Sequence, residues 1–363
     1  MTNGNAVLIA LALAGLSAGP LVPASNDDLS LFDRESIYGW TQLGTQSWRA
    51  SAGTLIAPPD GRGEIQHNAV FGDFRLTAEL RVSPGAEVAI AAGVAPGNNP
   101  ASNPCTFRST DYHLKTEGWQ SLEIIASGDL CSIGINSHSL KVVRRIQRAG
   151  HIILARRGRG EVFFRNIRLK PLNLRGLFDG SKLAGWRPVV SPNIEYGEAV
   201  WTVREDAIHV EPGQGALESN DLFSEFILQM EIRTEPRPRG PIPNSGVFLR
   251  GTPGVFWSGY EVQIRNTAAD KYGTGGLYNI QRARAIVAKD GEWFTLTVSA
   301  YKRHFSVWVN GVQVNDWEDP HPEGDSVRKQ LAMLGPGSIS LQAHDPGSPM
   351  SFRRIRVGLL EFP

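Results

Sequence analysis

The sequence predicts an all-β protein made of two β-sandwiches in tandem. Three observations support this fold class: the first half of the chain resembles the second, both halves consist of short stretches with alternating polarity, and turn-forming residues are abundant throughout. The 39 glycines and 23 prolines are spread along the chain, as expected for many tight turns between short strands. With 363 residues, the chain is long enough for two domains with separate cores.

The internal repeat sets the domain organisation. Four pairs of segments match in the same order: Leu31–Trp40 with Leu177–Trp186, Phe74–Arg81 with Phe226–Arg233, Trp119–Asn136 with Trp293–Asn310, and Phe164–Arg168 with Phe352–Arg356. These matches place the boundary at Pro171–Arg175. The predicted domains are therefore residues 29–172, a degenerate copy, and residues 175–363, with residues 1–28 outside the fold.

The individual strands are predicted from period-two alternation with β-branched or aromatic residues. The clearest stretches in the second half are Phe226–Glu231, Gly246–Arg250, Tyr260–Ile264, Phe294–Ala300, Phe305–Val309, Ser338–Ala343 and Phe352–Val357. Such short strands in each half indicate antiparallel sandwiches. Asp325–Leu334 is the one stretch with a weak helical pattern.

Charge and the N-terminus limit the classes of function. Lys and Arg total 37 and Asp and Glu total 36. The chain therefore lacks the excess of basic residues that is typical of proteins that bind nucleic acids through their phosphates. The apolar run Ala6–Ala14 is too short to span a bilayer and fits the core of a signal peptide, although residues 1–5 contain no Lys or Arg. We expect export to the periplasm or outside the cell and no membrane association after signal removal. A disordered start is the alternative.

The two cysteines and the acidic residues offer little support for redox or metal chemistry. A disulfide between Cys105 and Cys131 fits an exported protein, and two buried thiols are the alternative. The loop Asn315–Asp325 carries Asp316, Asp319 and Glu323, whose oxygens could bind a cation, but a solvated acidic loop is the favoured interpretation. No cofactor is predicted, and a divalent cation has no further support.

The differences between the two halves indicate where a site lies. The offset between matched residues rises from 148 at Tyr112/Tyr260 to 174 at Trp119/Trp293, so the second half gains 26 residues there. It gains 13 more between Asn310 and Leu341, and added loops on a sandwich are common places for sites.

Polar side chains on the strands of the second half point to the same conclusion. Glu261 and Gln263 share one face of their strand, as do Gln342 and His344 of theirs. This alignment gives His113, Lys115, Ala155 and Arg157 as their counterparts in the first half. The polar set is thus mostly confined to the second half. Glu231 has a counterpart in Glu79, so a shared structural carboxylate is as plausible for it as catalysis.

Residues 175–360 resemble the 3-keto-disaccharide hydrolase domain family. The resemblance rests on Leu177–Gly180 with Gly185–Trp186, on Glu231, on Asn244–Arg250, on Gly259–Gln263, on Thr274–Tyr278 and on Ile339–His344 followed by Phe352–Arg353. It implies concanavalin A-like jelly-roll sandwiches and action on glycosides oxidised at carbon 3. The sequence has Asn266 where the family commonly has an aspartate two or three residues after Gln263, which puts an acid or ligand role there in doubt.

This chemistry needs a base for the proton on carbon 2, an acid for the leaving oxygen and donors for an enolate. We expect Glu261 and His344 to be the base and acid, with Glu231 as a further catalytic candidate. Predicted substrate-binding residues are Asn244, Ser245, Arg250, Gln263, Tyr278 and Gln342. The predicted partner is a carbohydrate. The alternatives are a non-catalytic carbohydrate-binding module that uses Trp257 and Trp317, and a glycosidase that pairs Glu231 with Glu261.

Overall fold

The computed structural model describes residues 27–361 except 45–46, 60–61, 113, 115–117, 193–194, 196, 212, 237, 239, 322–332 and 345–348. The predicted leader, residues 1–28, lies almost entirely outside the described residues, as does most of the weak helical candidate Asp325–Leu334. Within the described part of the chain, no helix combines the length and apolar character needed to cross a membrane.

The first half of the described chain contains thirteen strands and two single-turn 3-10 helices, η1 (Pro100–Ser102) and η2 (Ser109–Asp111). The strands are β1 (Leu29–Ser30), β2 (Trp40–Leu43), β3 (Arg49–Ser51), β4 (Thr54–Ala57), β5 (Gly63–His67), β6 (Phe74–Val82), β7 (Ala86–Val94), β8 (Thr106–Arg108), β9 (Gln120–Ser127), β10 (Leu130–Ile135), β11 (His138–Arg144), β12 (His151–Gly158) and β13 (Val162–Pro171).

The second half of the described chain contributes thirteen more strands. They are β14 (Arg175–Gly176), β15 (Trp186–Val190), β16 (Trp201–Arg204), β17 (Ala207–Val210), β18 (Gly215–Ser219), β19 (Phe226–Thr234), β20 (Ser245–Gly251), β21 (Tyr260–Ile264), β22 (Phe294–Tyr301), β23 (His304–Val309), β24 (Val312–Glu318), β25 (Ser338–Ala343) and β26 (Met350–Leu359).

These strands form four sheets that pair into two sandwiches. Sheet A has the order β11-β10-β9-β6-β13-β4-β3, with β1 added to β13, and sheet B has the order β2-β5-β12-β7-β8. Sheet C has the order β24-β23-β22-β19-β26-β17-β16, with β14 added to β26, and sheet D has the order β15-β18-β25-β20-β21. Sheets A and B form the N-terminal sandwich, and sheets C and D form the C-terminal sandwich with the same strand order. The predicted all-β fold with two tandem sandwiches is confirmed.

Strand alternation determines which side chains form each core. In β6, Phe74, Leu76, Ala78 and Leu80 are buried, while Arg75, Thr77 and Glu79 between them are partly exposed. In β19, Phe226 and Leu228 take the corresponding inward positions. Because successive side chains of a strand point to opposite faces, each sheet has one inner face on the core and one outer face turned away from it.

The two sandwiches join their sheets differently at one equivalent place. In the N-terminal sandwich, the disulfide Cys105–Cys131 links the residue before β8 of sheet B to β10 of sheet A. In the C-terminal sandwich, the matching strands bring the rings of Tyr260 and Phe305 to a centroid distance of 4.4 Å. A covalent link in one copy therefore corresponds to an aromatic contact in the other.

The interface between the sandwiches is part of a hydrophobic core. Ile227, Tyr301 and Trp308 of sheet C belong to the same buried cluster as the core of the N-terminal sandwich. The interface also contains polar contacts: Trp308 Nε1 to Ser30 O at 3.1 Å, Ser299 Oγ to Val70 O at 2.8 Å, Asn68 Nδ2 to Asp316 Oδ2 at 2.7 Å, and Arg284 Nη1 to Asp33 Oδ2 at 2.8 Å. The two halves thus pack as one body.

Candidate active site

The outer face of sheet D carries two parallel rows of side chains. Backbone pairing aligns one row across five strands as Arg187, Glu218, Ser340, Phe248 and Glu261. The next row contains Val189, Ala216, Gln342, Gly246 and Gln263, because strand alternation brings every second residue to this face. The predicted residues Glu261, Gln263 and Gln342 therefore share one face.

Glu261 is a buried carboxylate on this face, with 3% of its surface exposed. One of its oxygens, Oε2, accepts a hydrogen bond from Trp257 Nε1 at 3.1 Å. The position of the Glu261 side chain depends on Gly246 of the neighbouring strand, because a Cβ atom at residue 246 would lie 2.5 Å from Glu261 Oε1. The Asn-Ser-Gly segment thus places a residue without a side chain where the Glu261 carboxylate has to fit.

The amides beside Glu261 form a second polar group. Gln263 Nε2 donates to Asn244 Oδ1 at 3.1 Å, and Ser245 Oγ donates to the backbone oxygen of Gln342 at 2.8 Å. The side-chain oxygen Oε1 of Gln342 is buried and has no hydrogen-bond partner among the described residues. A buried amide oxygen without a partner is costly, so this atom is suited to accept a hydrogen bond from a ligand hydroxyl.

The long connection between β21 and β22 closes the edge of sheet D. Gly275 N donates to Gln263 O at 2.9 Å, and Tyr278 N donates to Glu261 O at 2.9 Å, so this connection continues the hydrogen bonding beyond β21. Tyr278 lies half-buried beside Trp257, with their ring centroids 6.4 Å apart. The inserted segment thereby adds Tyr278 to Trp257, which comes from the connection between β20 and β21 and contacts the Glu261 carboxylate.

Reasoning from the sequence missed Glu218, which lies on the Glu261 row. Its side chain is 1% exposed, and it accepts hydrogen bonds from Gly254 N at 2.9 Å and from Arg187 Nε. Three strand-to-strand steps separate it from Glu261, or about 14 Å between backbones. The sequence of Gly215–Ser219 could have identified this residue, since Glu218 is the only charged residue of that strand.

His344 lies directly after β25, two residues beyond Gln342, and its side chain is exposed. Alternation continued from Gln342 would bring it to the same side of sheet D. The segment that follows it, 345–348, lies outside the described residues.

Two predicted site residues lie away from this face. Glu231 belongs to β19 in sheet C, where it accepts from Arg353 Nε at 2.6 Å and Arg354 Nη1 at 3.0 Å. Its counterpart Glu79 is bound in the same way by Arg165. Since Glu231 and Glu261 lie in different sheets and on opposite sides of the sandwich, the structure does not bring them together as a carboxylate pair.

Arg250 is placed inside the C-terminal sandwich by a bulge in β20. The pairing of β20 with β25 shifts between Phe248 and Gly251, and Arg250 has a φ of +54°. Its guanidinium donates to Lys302 O and lies 5.2 Å from the ring centroid of Phe305, a core residue. Strict alternation would have left Arg250 on the outer face beside Phe248.

The profile of the 3-keto-alpha-glucoside-1,2-lyase-like domain family matches residues 173–358, half of the chain. The chain belongs to this family. A search of curated proteins found no match.

Solved structures similar to this chain include two provisionally named glycosyl hydrolases of Parabacteroides distasonis. One is 17% identical, with 51% of this chain and 93% of that chain covered and a TM-score of 0.41. The other is 26% identical, with 52% and 85% covered and a TM-score of 0.40. The carbohydrate-binding module CBM66 of Bacillus subtilis is 13% identical, with 48% and 94% covered and a TM-score of 0.34.

The sheet pairing corrects the counterparts assigned to the family site in the N-terminal sandwich. Phe107 pairs with Ile90 as Val262 pairs with Val247, so Thr106 and Arg108 are equivalent to Glu261 and Gln263. The expected His113 and Lys115 lie outside the described residues. Because the offset at Phe107/Val262 is 155, the C-terminal sandwich gains 19 residues before Trp293 rather than 26. Ala155 and Arg157 remain the equivalents of Gln342 and His344.

The segment Asn315–Asp325, predicted to be an acidic loop, begins inside β24 (Val312–Glu318), and Asp316 and Asp319 make protein contacts. Asp319 Oδ2 accepts from Tyr260 Oη at 2.6 Å, and Asp316 accepts from Ser306 Oγ at 2.6 Å. Glu323 lies outside the described residues. Within the part of the chain that the structure describes, no three His, Cys, Asp or Glu side chains are grouped so as to hold a metal ion.

Proposed function

We propose that the protein cleaves glycosides that carry a ketone at carbon 3, and that the outer face of sheet D is the active site. The family assignment supports a carbohydrate-active enzyme, and the family's description names a lyase that acts between carbons 1 and 2. The observation that carries the proposal is the Glu261 carboxylate, which is buried on the same face as Gln342 and accepts a hydrogen bond from Trp257, one of an aromatic pair. The N-terminal sandwich has Thr106 at the same position.

The reaction follows from the acidity that the ketone confers on carbon 2. A base removes the proton of carbon 2, the resulting enolate expels the substituent at carbon 1, and an acid protonates the departing oxygen. Water then adds across carbons 1 and 2, so that the net change is hydrolysis. We assign Glu261 and His344 to the base and acid roles, each of which is typically worth about 10²–10⁴-fold in rate.

The remaining residues of the face bind the sugar in this proposal. Gln342 Oε1 accepts a sugar hydroxyl, and Gln263 with Asn244 fixes the ring beside it. Tyr278 and Trp257 supply an apolar wall, since aromatic rings combine apolar area with one polar atom. Arg250, Ser245 and Glu231 act through the framework, because their side chains contact backbone oxygens or arginines.

A carbohydrate-binding module is the second candidate function. Trp257 is 48% exposed beside Tyr278, and an exposed aromatic pair on a sandwich could bind a sugar without reacting with it. In that case the buried Glu261 would hydrogen-bond a hydroxyl and remove no proton.

The deciding experiment incubates the purified full chain with a 3-keto disaccharide and with its unoxidised parent, each with and without a chelator. Chromatography then follows the released sugars. We expect cleavage of the oxidised sugar alone, with a bell-shaped dependence of rate on pH. Saturable binding without cleavage of either sugar would contradict the proposal and favour the binding module. Loss of cleavage with chelator would add a metal to the site.

We also propose that the protein is exported. The apolar segment Ala6–Ala14 supports this, and so does the disulfide Cys105–Cys131, since disulfides persist in oxidising compartments. Fractionation of cells that produce the full chain would place it in the periplasm or the medium, whereas recovery from the cytoplasm with both cysteines reduced would contradict export.

A further inference from the structure

The outer face of sheet B is the N-terminal counterpart of the candidate active site. Its first row is Thr41, Gln66, Ile153, Ala91 and Thr106, and its second row is Leu43, Glu64, Ala155, Ala89 and Arg108. Glu261, Gln342 and His344 of the C-terminal sandwich correspond here to Thr106, Ala155 and Arg157. The face therefore lacks the Glu261, Gln342 and His344 set, and small side chains such as Ala89, Ala91 and Ala155 leave open space along it.

Two cavities open onto this face. The first, of about 140 Å³, lies over β7 and β12 and is lined by Ala89, Ala155, Arg108 and Arg157. The second, of about 390 Å³, lies where the face meets the C-terminal sandwich and is lined from both halves, including Thr41, Gln66, Tyr301 and Trp317. Glu64 lines the first cavity, and Gln66, two residues on along β5, lines the second, so both cavities are on one side of sheet B.

The chemistry of these linings suits a sugar. Ala91, Val94 and Ile153 form an apolar cluster outside the main core. Amide, hydroxyl and charged groups surround it, and half-buried Trp317 supplies an aromatic wall to the larger cavity. Arg108 and Arg157 are offset by Glu64 and Glu87, and Lys302 and Arg303 by Asp316 and Glu318, so the lining does not favour a strongly charged ligand. Ligand sites commonly occur at domain interfaces and combine apolar area with a few polar groups.

We propose that the outer face of sheet B, together with the cleft against β23 and β24, binds a neutral oligosaccharide. The bound chain would run across the five strands of sheet B, a distance of about 19 Å at the usual strand spacing. This site is distinct from the outer face of sheet D. It gives the N-terminal sandwich a role in holding an unoxidised glycan, and it does not depend on the reaction proposed for Glu261.

Binding is best measured in the full chain with Glu261→Gln, so that turnover cannot contribute. Cellohexaose, maltohexaose and laminarihexaose are titrated by calorimetry, with the matching disaccharides for comparison. We expect at least one hexasaccharide to bind, and to bind more tightly than its disaccharide, because the face is longer than one sugar pair. Failure of all three hexasaccharides to bind would overturn the proposal.

Two substitutions block the groove, one in each cavity. Ala155→Trp fills the smaller cavity from the half-buried floor, and Thr41→Trp fills the cleft from an exposed position. Each should weaken hexasaccharide binding at least tenfold. Thr77→Trp, on the outer face of sheet A, is the matched control and should leave the affinity unchanged.

A direct measure of folding keeps the test sharp. Each variant should unfold at the wild-type temperature within a few degrees. As an independent arm, Trp257→Ala alters the sheet D face without touching sheet B. Affinity that survives Ala155→Trp and Thr41→Trp but is lost in Trp257→Ala would place the glycan on sheet D and overturn the proposal.

Discussion

The outer faces of sheets B and D are the same surface in two copies of one fold. Both have five strands in equivalent order, and both align every second residue into rows. In sheet D the edge strand presents Glu261 and Gln263, whereas in sheet B it presents Thr106 and Arg108. The comparison shows that strand pairing is kept by the inner faces, which form the cores, while the outer faces are free to change their chemistry.

The largest effect is expected when the residues of the outer face of sheet D are replaced by their equivalents from sheet B. Glu261→Thr should lower the rate of 3-keto-disaccharide cleavage by about 10²–10⁴-fold, because a general acid or base is lost. His344→Arg should do the same for the partner role, with steady-state kinetics as the measurement. Glu231→Gln is the control and should retain turnover. Full activity in both Glu261→Thr and His344→Arg would contradict the assignment.

A second difference lies at His67, which occupies the position of Ser219 in the C-terminal sandwich. Burial lowers the pKa of His67 to about 3. The pKa of His67 in the folded state is below its unfolded value of about 6.5. The contribution of the neutral imidazole to the free energy of unfolding is therefore fully present above about pH 6.5 and is lost as the pH falls towards 3. The loss reaches about 5 kcal/mol near pH 3, at about 1.4 kcal/mol per pKa unit. Urea unfolding at pH 7.5, 5.5 and 4.5 measures it.

His67→Phe should flatten that pH dependence, since phenylalanine fits among the surrounding rings of Trp40, Phe71 and Trp308. Some acid sensitivity should remain. Burial alone would raise the pKa of Asp316, but hydrogen bonds with His304, Ser306 and Asn68 outweigh it and lower that pKa. A carboxylate with a lowered pKa loses its stabilising effect as the pH falls below about 4. An unchanged slope between pH 6.5 and 4.5 in His67→Phe would show that the imidazole is not its source.

The disulfide provides a third comparison. Its closed loop spans a sequence separation of 26, for which loop entropy predicts a stabilisation of about 3 kcal/mol. Cys105→Ala with Cys131→Ala should therefore destabilise the N-terminal sandwich by about that amount in denaturant unfolding. Phe305→Ala should cost a similar amount, about 3–5 kcal/mol, in the C-terminal sandwich because it leaves a cavity. Equal unfolding of wild type with and without reductant would argue against the first value.

The smallest effects are expected where the two copies agree. Glu79 and Glu231 are each bound by arginines on the neighbouring strand. Because these pairs are partly exposed, Glu79→Gln and Glu231→Gln should each cost about 1 kcal/mol or less. Matched thermal unfolding of the two variants tests this symmetry. A large loss for Glu231→Gln alone would show that the two carboxylates differ in role after all.

The fold was predictable because matched residues of the repeat, such as Phe74 and Phe226, keep both their type and their inward position in the strand. The shared face of Glu261, Gln263 and Gln342 was predictable for the same reason. Arg250 was not placed by this reasoning, since a bulge reverses the alternation and leaves no mark in the strand pattern. Thr106 was missed because the alignment anchored on Tyr112 and Tyr260, whereas hydrogen bonding aligns Cys105 with Tyr260. A match of residue type could not reveal this shift.

Trp308 links the stability of the two sandwiches. Its indole lies in the core of the N-terminal sandwich although its strand belongs to the C-terminal one, and Ile227 and Tyr301 accompany it. In a fragment beginning at residue 173, where the family profile begins, these three side chains would form an apolar patch exposed to solvent. Such a fragment would be prone to aggregation unless they were replaced by polar residues. The two repeats form two sandwiches, but this interface couples the stability of one to the presence of the other.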